Sequence, residues 1–182
     1  MVAAWPGPLW PWPWRADQTL KLDEEGLRVT LSVTNLAEEV APVGLGLHPY
    51  FHRSKDARLT LKTGGVWLTD ESQIPARLAE PAARVDWSSG RDLTGAPFVD
   101  HAYADWSRKA WIDGAGRRVE MTASEACRWV QVYAPHDENF LCVEPVTHRP
   151  DALNAPPGEA TGMTTLQPGQ ALTIWMRIAT IN

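Results

Sequence analysis

The chain has 182 residues and a mass of 20.2 kDa, with 44% hydrophobic and 21% charged residues. This fits one ordinary globular domain burying roughly 70% of its unfolded surface and excludes disorder as its main state. Seventeen basic against 22 acidic residues leave a net charge of -5, without the basic excess that neutralises nucleic-acid phosphates or coats an anionic membrane.

The N-terminal run MVAAWPGPLWPWPWR has no basic residue before Arg15 and is broken by prolines. A secretory signal has a charged start and an apolar helical centre, so a cytoplasmic location is the expectation. Over residues 1–14, Trp5, Trp10, Trp12 and Trp14 interleave with Pro6, Pro8, Pro11 and Pro13. Proline removes backbone donors and biases its predecessor toward extended geometry, which predicts an irregular or polyproline-like segment whose indoles need a surface to cover. From Thr19 the pattern changes to period two. Leu20 and Leu22, a turn at Asp23-Glu24-Glu25-Gly26, then Leu27, Val29, Leu31 and Val33 predict a β-hairpin.

Alternation returns at 59–62, then at 119–122, 129–133 and 172–178. Glu71 to Leu78 is a weak helical candidate, interrupted by Pro75, and Ile112 to Arg117 reads as a tight hairpin turn. Fifteen prolines and 13 glycines space these runs too closely for many helices, and no βα alternation is present. The fold class expected is all-β, an antiparallel sandwich or barrel over residues 1–182.

No window approaches the roughly 20 consecutive apolar residues of a spanning helix. Cys127 and Cys142 make neither a disulfide framework nor a CxxC motif, which fits a reducing compartment. There is no GxSxG elbow, GxxxxGK[ST] loop or HExxH helix, and Gly44-Leu45-Gly46 lacks the third glycine of a dinucleotide site.

Three polar clusters remain. Gly44 to Phe51 delivers His48 beside two aromatics, either as a hydrogen-bonded core histidine or as a proton donor and acceptor near neutrality. Asp100-His101 is either a turn closed by side-chain capping or a functional pair. Glu144 ends the apolar run Phe140 to Val143, either paired with an arginine such as Arg149 or held as a partly desolvated base. A cupin-like metal site is disfavoured, because His48, His101, His136 and His148 are scattered rather than compactly spaced with a carboxylate.

Four segments, GLGLHPYF (44–51), FVDHAY around Asp100, WVQVYAP (129–135) and ENFLCVEPVTHRPDALN (138–154), resemble the aldose 1-epimerase, or galactose mutarotase, family in order and approximate spacing. The resemblance implies a galactose mutarotase-type β-sandwich binding an aldohexose in a cleft on one concave sheet face, without a cofactor. It makes His48 the general acid at the ring oxygen and Glu144 the general base at the anomeric hydroxyl. Asp100 becomes a carboxylate gripping sugar hydroxyls, and Gln131 a further substrate contact. Tyr50, Trp129 or an N-terminal tryptophan would offer a platform to the sugar's C–H face. Family members carry a substantial N-terminal portion ahead of the matched text, with an arginine and a histidine that have no counterpart here. A truncated sandwich is therefore expected, with an exposed edge through which a second copy pairs as a homodimer. The alternatives are a weakly active sugar-binding module, a remnant that needs a partner, and a sugar-phosphate epimerase whose cleft gathers Arg53, Arg58 and Arg149.

Overall fold

The computed structural model of the chain describes residues 1–7 and 10–181, without the side chains of Val2 and of residues 4–7. In chain order the strands are β1 (Val2–Gly7), β2 (Trp10–Asp23), β3 (Gly26–Asn35), β4 (Ala41–Val43), β5 (Tyr50–His52) and β6 (Arg58–Leu61). They continue with β7 (Gly65–Thr69), β8 (Pro75–Ala79), β9 (Arg91–Asp92), β10 (Val99–Ala104) and β11 (Lys109–Gly114). The last are β12 (Arg117–Ala123), β13 (Trp129–Ala134), β14 (Phe140–Val146), β15 (Thr164–Leu166) and β16 (Ala171–Ile181). The larger sheet has the order β1-β2-β3-β16-β12-β11-β6-β9, the smaller β5-β14-β13-β10-β7-β8, and β15 pairs with β4. All pairings are antiparallel.

The period-two pattern makes this a sandwich. Register aligns Leu61, Ala110, Met121, Ile178 and Leu27 in one row across five strands of the larger sheet. The smaller sheet turns Leu141, Val143, Val130, Val132, Val99 and Tyr103 into the same core, which Trp87 and Trp106 complete. The Trp106 indole N–H donates to the Cys127 carbonyl at 2.6 Å, so its polar atom is not stranded by burial. Among the described residues no helix is long and apolar enough to cross a membrane.

Two expectations are corrected. Residues 2–7 and 10–14 are not irregular: β1 and the start of β2 form an antiparallel ladder, Ala4 opposite Arg15 and Gly7 opposite Trp10. The register shifts between Trp5 and Gly7, around Pro6, and β2 pairs with β3 only from Trp14 onward. Prolines are tolerated because bulges and one-sided pairing make no demand for their missing N–H. Pro8 lies outside the described residues, as do the side chains of Trp5 and Pro6. Residues 71–78 are not helical either. The Asp70 carboxylate accepts from the Ser72 and Ile74 amides at 2.8 and 3.1 Å, closing a turn, and Pro75 opens the edge strand β8. The turn after Ile112 forms as expected, with Ala115 and Gly116 both at positive φ, 51° and 71°, matching the twist of β11 and β12.

Asn35, 1% exposed, ties the small β4/β15 sheet to the end of β3. Its amide donates to the Glu39 and Leu166 carbonyls at 2.8 and 2.9 Å, and its oxygen accepts from the Ala37 amide at 2.9 Å. Asn35→Ala strands all three backbone groups. The expected cost is about 3 kcal/mol, or a melting temperature lower by about 6–12 °C, read by thermal denaturation followed by circular dichroism.

Candidate functional site

Because Leu141 and Val143 point into the core, Phe140, Cys142 and Glu144 project from the outer face of the smaller sheet. Cross-strand pairing places Glu144 beside Gln131 and Ala102 in one row, and Tyr50, Cys142, Tyr133 and Asp100 in the next. Residues far apart in the chain thus share one face.

His48 reaches this face from the loop before β5, which is laced along β14. Gly46 bridges Val146, the Leu47 amide donates to the Pro145 carbonyl at 3.1 Å, and the Leu45 amide donates to the Thr147 hydroxyl at 2.9 Å. A Cβ on Gly46 would lie 2.8 Å from Val146 Cγ1, so glycine permits the approach. His48 Nε2 then sits 3.2 Å from Glu144 Oε1, with the imidazole side chain 55% exposed and the carboxylate 12%. The imidazole stacks on Tyr50, ring centroids 5.0 Å apart at 16°.

Burial, and secondarily the negative charge of Asp100, push the Glu144 carboxyl up to about 7. These effects give a carboxylate able to take and return a proton near neutrality. Asp100 Oδ1 accepts from the Gln131 side-chain amide at 2.6 Å, while the Gln131 carbonyl oxygen is buried with no partner. An unanswered acceptor beside an ionisable pair is a place for a hydroxyl donor.

Several expectations change with the coordinates. Asp100 and His101 lie within β10 rather than at a turn, and strand alternation sends them to opposite faces; His101 is buried, with its pKa lowered first by burial and then by Arg84. Arg149 does not pair with Glu144. Its Nε donates to Glu159 at 2.7 Å, and its guanidinium lies 4.8 Å from the Trp67 ring centroid. The Arg53 guanidinium donates to the Pro135 and Leu93 carbonyls and that of Arg58 to the Gly90 carbonyl, so these three arginines form no phosphate-binding cluster. Trp10, Trp12 and Trp14 line a separate groove of about 520 Å³ with Leu45 and His148, away from the His48 and Glu144 side chains. Tyr50 is the exposed aromatic at the site, whereas Trp129 is buried.

The histidines remain scattered: His136 Nε2 accepts from the Phe98 amide at 2.9 Å, and His148 packs under Gly44. The ligand atoms of His48, Cys142 and Glu144, by contrast, lie within 4.8 Å of one another. Cys142 shows in the sequence only as an unpaired cysteine, but its i, i+2 spacing from Glu144 on a strand is the signal that puts both on one face.

The aldose 1-epimerase family model matches residues 3–179. The chain belongs to the aldose 1-epimerase family. This epimerase-family chain is 30% identical over 175 residues to YphB of Escherichia coli (strain K12), an uncharacterized protein, covering 91% of the chain and 59% of YphB. Its fold matches that of an aldose 1-epimerase candidate from Escherichia coli K12 with a TM-score of 0.86 and 26% identity, over 99% of the chain and 64% of that structure. A galactose mutarotase-like protein from Clostridium acetobutylicum matches with a TM-score of 0.89 and 18% identity, over 100% of the chain and 61% of that structure. The chain spans 59% to 64% of the length of these relatives. The architecture is the galactose mutarotase-like sandwich.

Proposed function

We propose that the chain interconverts the α and β anomers of an aldohexose by acid-base opening and closing of the pyranose ring. The observation that carries this reading is the meeting of His48 and Glu144 at 3.2 Å on the solvent-facing side of one sheet, with Glu144 held near neutrality. Anomer exchange removes a proton from the C1 hydroxyl and adds one to the ring oxygen. These two atoms share a carbon, so an acid and a base that converge on one point suit the reaction. Glu144 takes the hydroxyl proton and His48 donates to the ring oxygen. The open aldehyde then rotates about C1–C2, and reclosure with the proton transfers reversed delivers the other anomer. Asp100 and the free carbonyl of Gln131 accept hydrogen bonds from sugar hydroxyls, and Tyr50 covers a C–H face.

Sugar entry must part the acid from the base, because a direct 3.2 Å contact leaves no room for a ring between them. Glu144 is anchored on β14, so His48, exposed and on a loop, is the partner that moves aside. The same contact favours a second reading as a sugar-binding module with little catalysis. Polarimetry of freshly dissolved α-D-glucose and α-D-galactose separates the two: rotation relaxing faster than in buffer supports the epimerase. Calorimetric sugar binding with rotation at the buffer rate supports the module.

Asp100 contributes to raising the Glu144 pKa. Asp100→Asn is therefore expected to move the acidic limb of the pH profile of kcat/KM to lower pH while raising KM through the lost hydroxyl acceptor. A KM increase with an unmoved limb excludes the charge coupling.

A further inference from the structure

The grouping of His48, Cys142 and Glu144 has a chemistry that ring opening does not use. Their imidazole nitrogen, thiol sulfur and carboxylate oxygen lie within 4.8 Å of one another, with the nitrogen and oxygen 3.2 Å apart. Two ligands at about 2.0–2.1 Å on a tetrahedral zinc ion are separated by roughly 3.3 Å, so that pair already stands at the spacing of a shared metal. Cys142 and Glu144 are fixed two residues apart on one face of β14, and His48 is fastened to the same strand through the 45–47 loop. Two of the three groups are therefore held by the sheet, and the third sits on a loop fastened to it.

Its composition is selective. One cysteine sulfur, one imidazole and one carboxylate form a mixed soft and borderline set that suits Zn²⁺, whereas Mg²⁺ and Ca²⁺ prefer all-oxygen shells. Three protein ligands leave a fourth tetrahedral position, with His48 55% exposed, Glu144 12% exposed and Cys142 buried. The second thiol, Cys127, belongs to the hydrophobic core. It serves as an internal control.

We propose that His48, Cys142 and Glu144 form a binding site for Zn²⁺ that competes with sugar turnover by occupying the acid and the base together. The inhibitory consequence rests on the epimerase reading; the binding itself rests on geometry alone. Cys142 has no part in the proton transfers, so its substitution separates the two.

The test uses the reduced, metal-free full chain. Calorimetric titration with Zn²⁺ is expected to show one site per chain, weakened at least about tenfold in Cys142→Ser and unchanged in Cys127→Ser. Co²⁺ in place of Zn²⁺ is expected to produce a thiolate-to-cobalt charge-transfer band in the wild-type chain, a readout that needs no folded variant. In polarimetry, saturating Zn²⁺ is expected to slow the catalysed rate at least about tenfold, with recovery on adding a chelator. Cys142→Ser is expected to need at least about ten times more Zn²⁺ to halve its own metal-free rate. Absence of the cobalt band, or Zn²⁺ binding indifferent to Cys142→Ser, overturns the site. One-site binding through Cys142 in a chain without epimerase activity upholds the site and overturns the epimerase reading instead.

Discussion

Glu144→Gln is expected to lower kcat for anomer exchange by about 10²–10⁴-fold, the range associated with loss of a positioned general base. Glutamine preserves shape and burial but cannot take the C1 hydroxyl proton. Polarimetry over a range of pH is the measurement. In the parent chain kcat/KM should rise as pH passes through about 7, because the carboxyl is pushed up to that value by burial and by Asp100 and acts only when ionised. A variant retaining most of the parent rate excludes Glu144 as the base.

The same substitution carries a stability signature of opposite sign. The folded pKa of Glu144 lies above its ordinary value of 4.5, so the fold favours the neutral carboxyl. That contribution is fully present below pH 4.5 and is lost as pH rises through about 7. Glu144→Gln removes the penalty of the buried charge, and the variant is expected to be more stable than the parent above pH 7 by up to about 3 kcal/mol. The two should be of equal stability in acid. Denaturant unfolding at both pH values reads the difference, and a variant less stable than the parent at high pH contradicts desolvation as the main cause of the raised pKa.

Gly162→Ala is expected to be the most destabilising single-methyl change among the loop glycines. Gly162 adopts φ +83°, and an added Cβ would lie 2.2 Å from the Thr147 carbonyl oxygen and 2.4 Å from Trp129 Cζ3. Neither neighbour yields easily. Thr147 is backbone at the end of β14, donating through its own amide to Leu45, and Trp129 is buried on β13. Gly158 has nearly the same backbone, φ +87°, with nothing within 4 Å of the added carbon. The pair isolates the steric part. Gly158→Ala should cost about 1 kcal/mol for the left-handed backbone alone, whereas Gly162→Ala should cost at least about 3 kcal/mol. The larger value corresponds to a melting temperature lower by about 6–12 °C, and equal losses in the two variants contradict the packing described.

Strand content was legible because alternation is a local property. The runs at 27–33, 59–62, 119–122, 129–133 and 172–178 each carry their own period of two and become β3, β6, β12, β13 and β16. The Trp/Pro segment misleads for the converse reason. Proline forbids a ladder bond only where a neighbour asks for one, and which sides of a strand are paired is a question about the sheet. Glu71 to Leu78 fails similarly, since an Asp70 turn and the partner strand β7 override a marginal helical pattern.

Within the candidate site, the family resemblance is what brings in Gln131; His48, Asp100 and Glu144 stand out in short motifs by themselves, because a polar side chain set in apolar text is unusual wherever it occurs. The chain's residue order alone determined the all-β class, the turns and these polar candidates, each being a matter of neighbours a few residues apart. The tertiary structure decided what no local pattern carries. It set His48 against Glu144 across 96 intervening steps of chain (144 - 48) at 3.2 Å, gave Arg149 to Glu159, turned His101 inward from Asp100, and brought the Cys142 thiol beside the acid-base pair. Distances of a few ångströms between remote residues arise from strand register and sheet order, and both are settled only when the two sheets close over their common core.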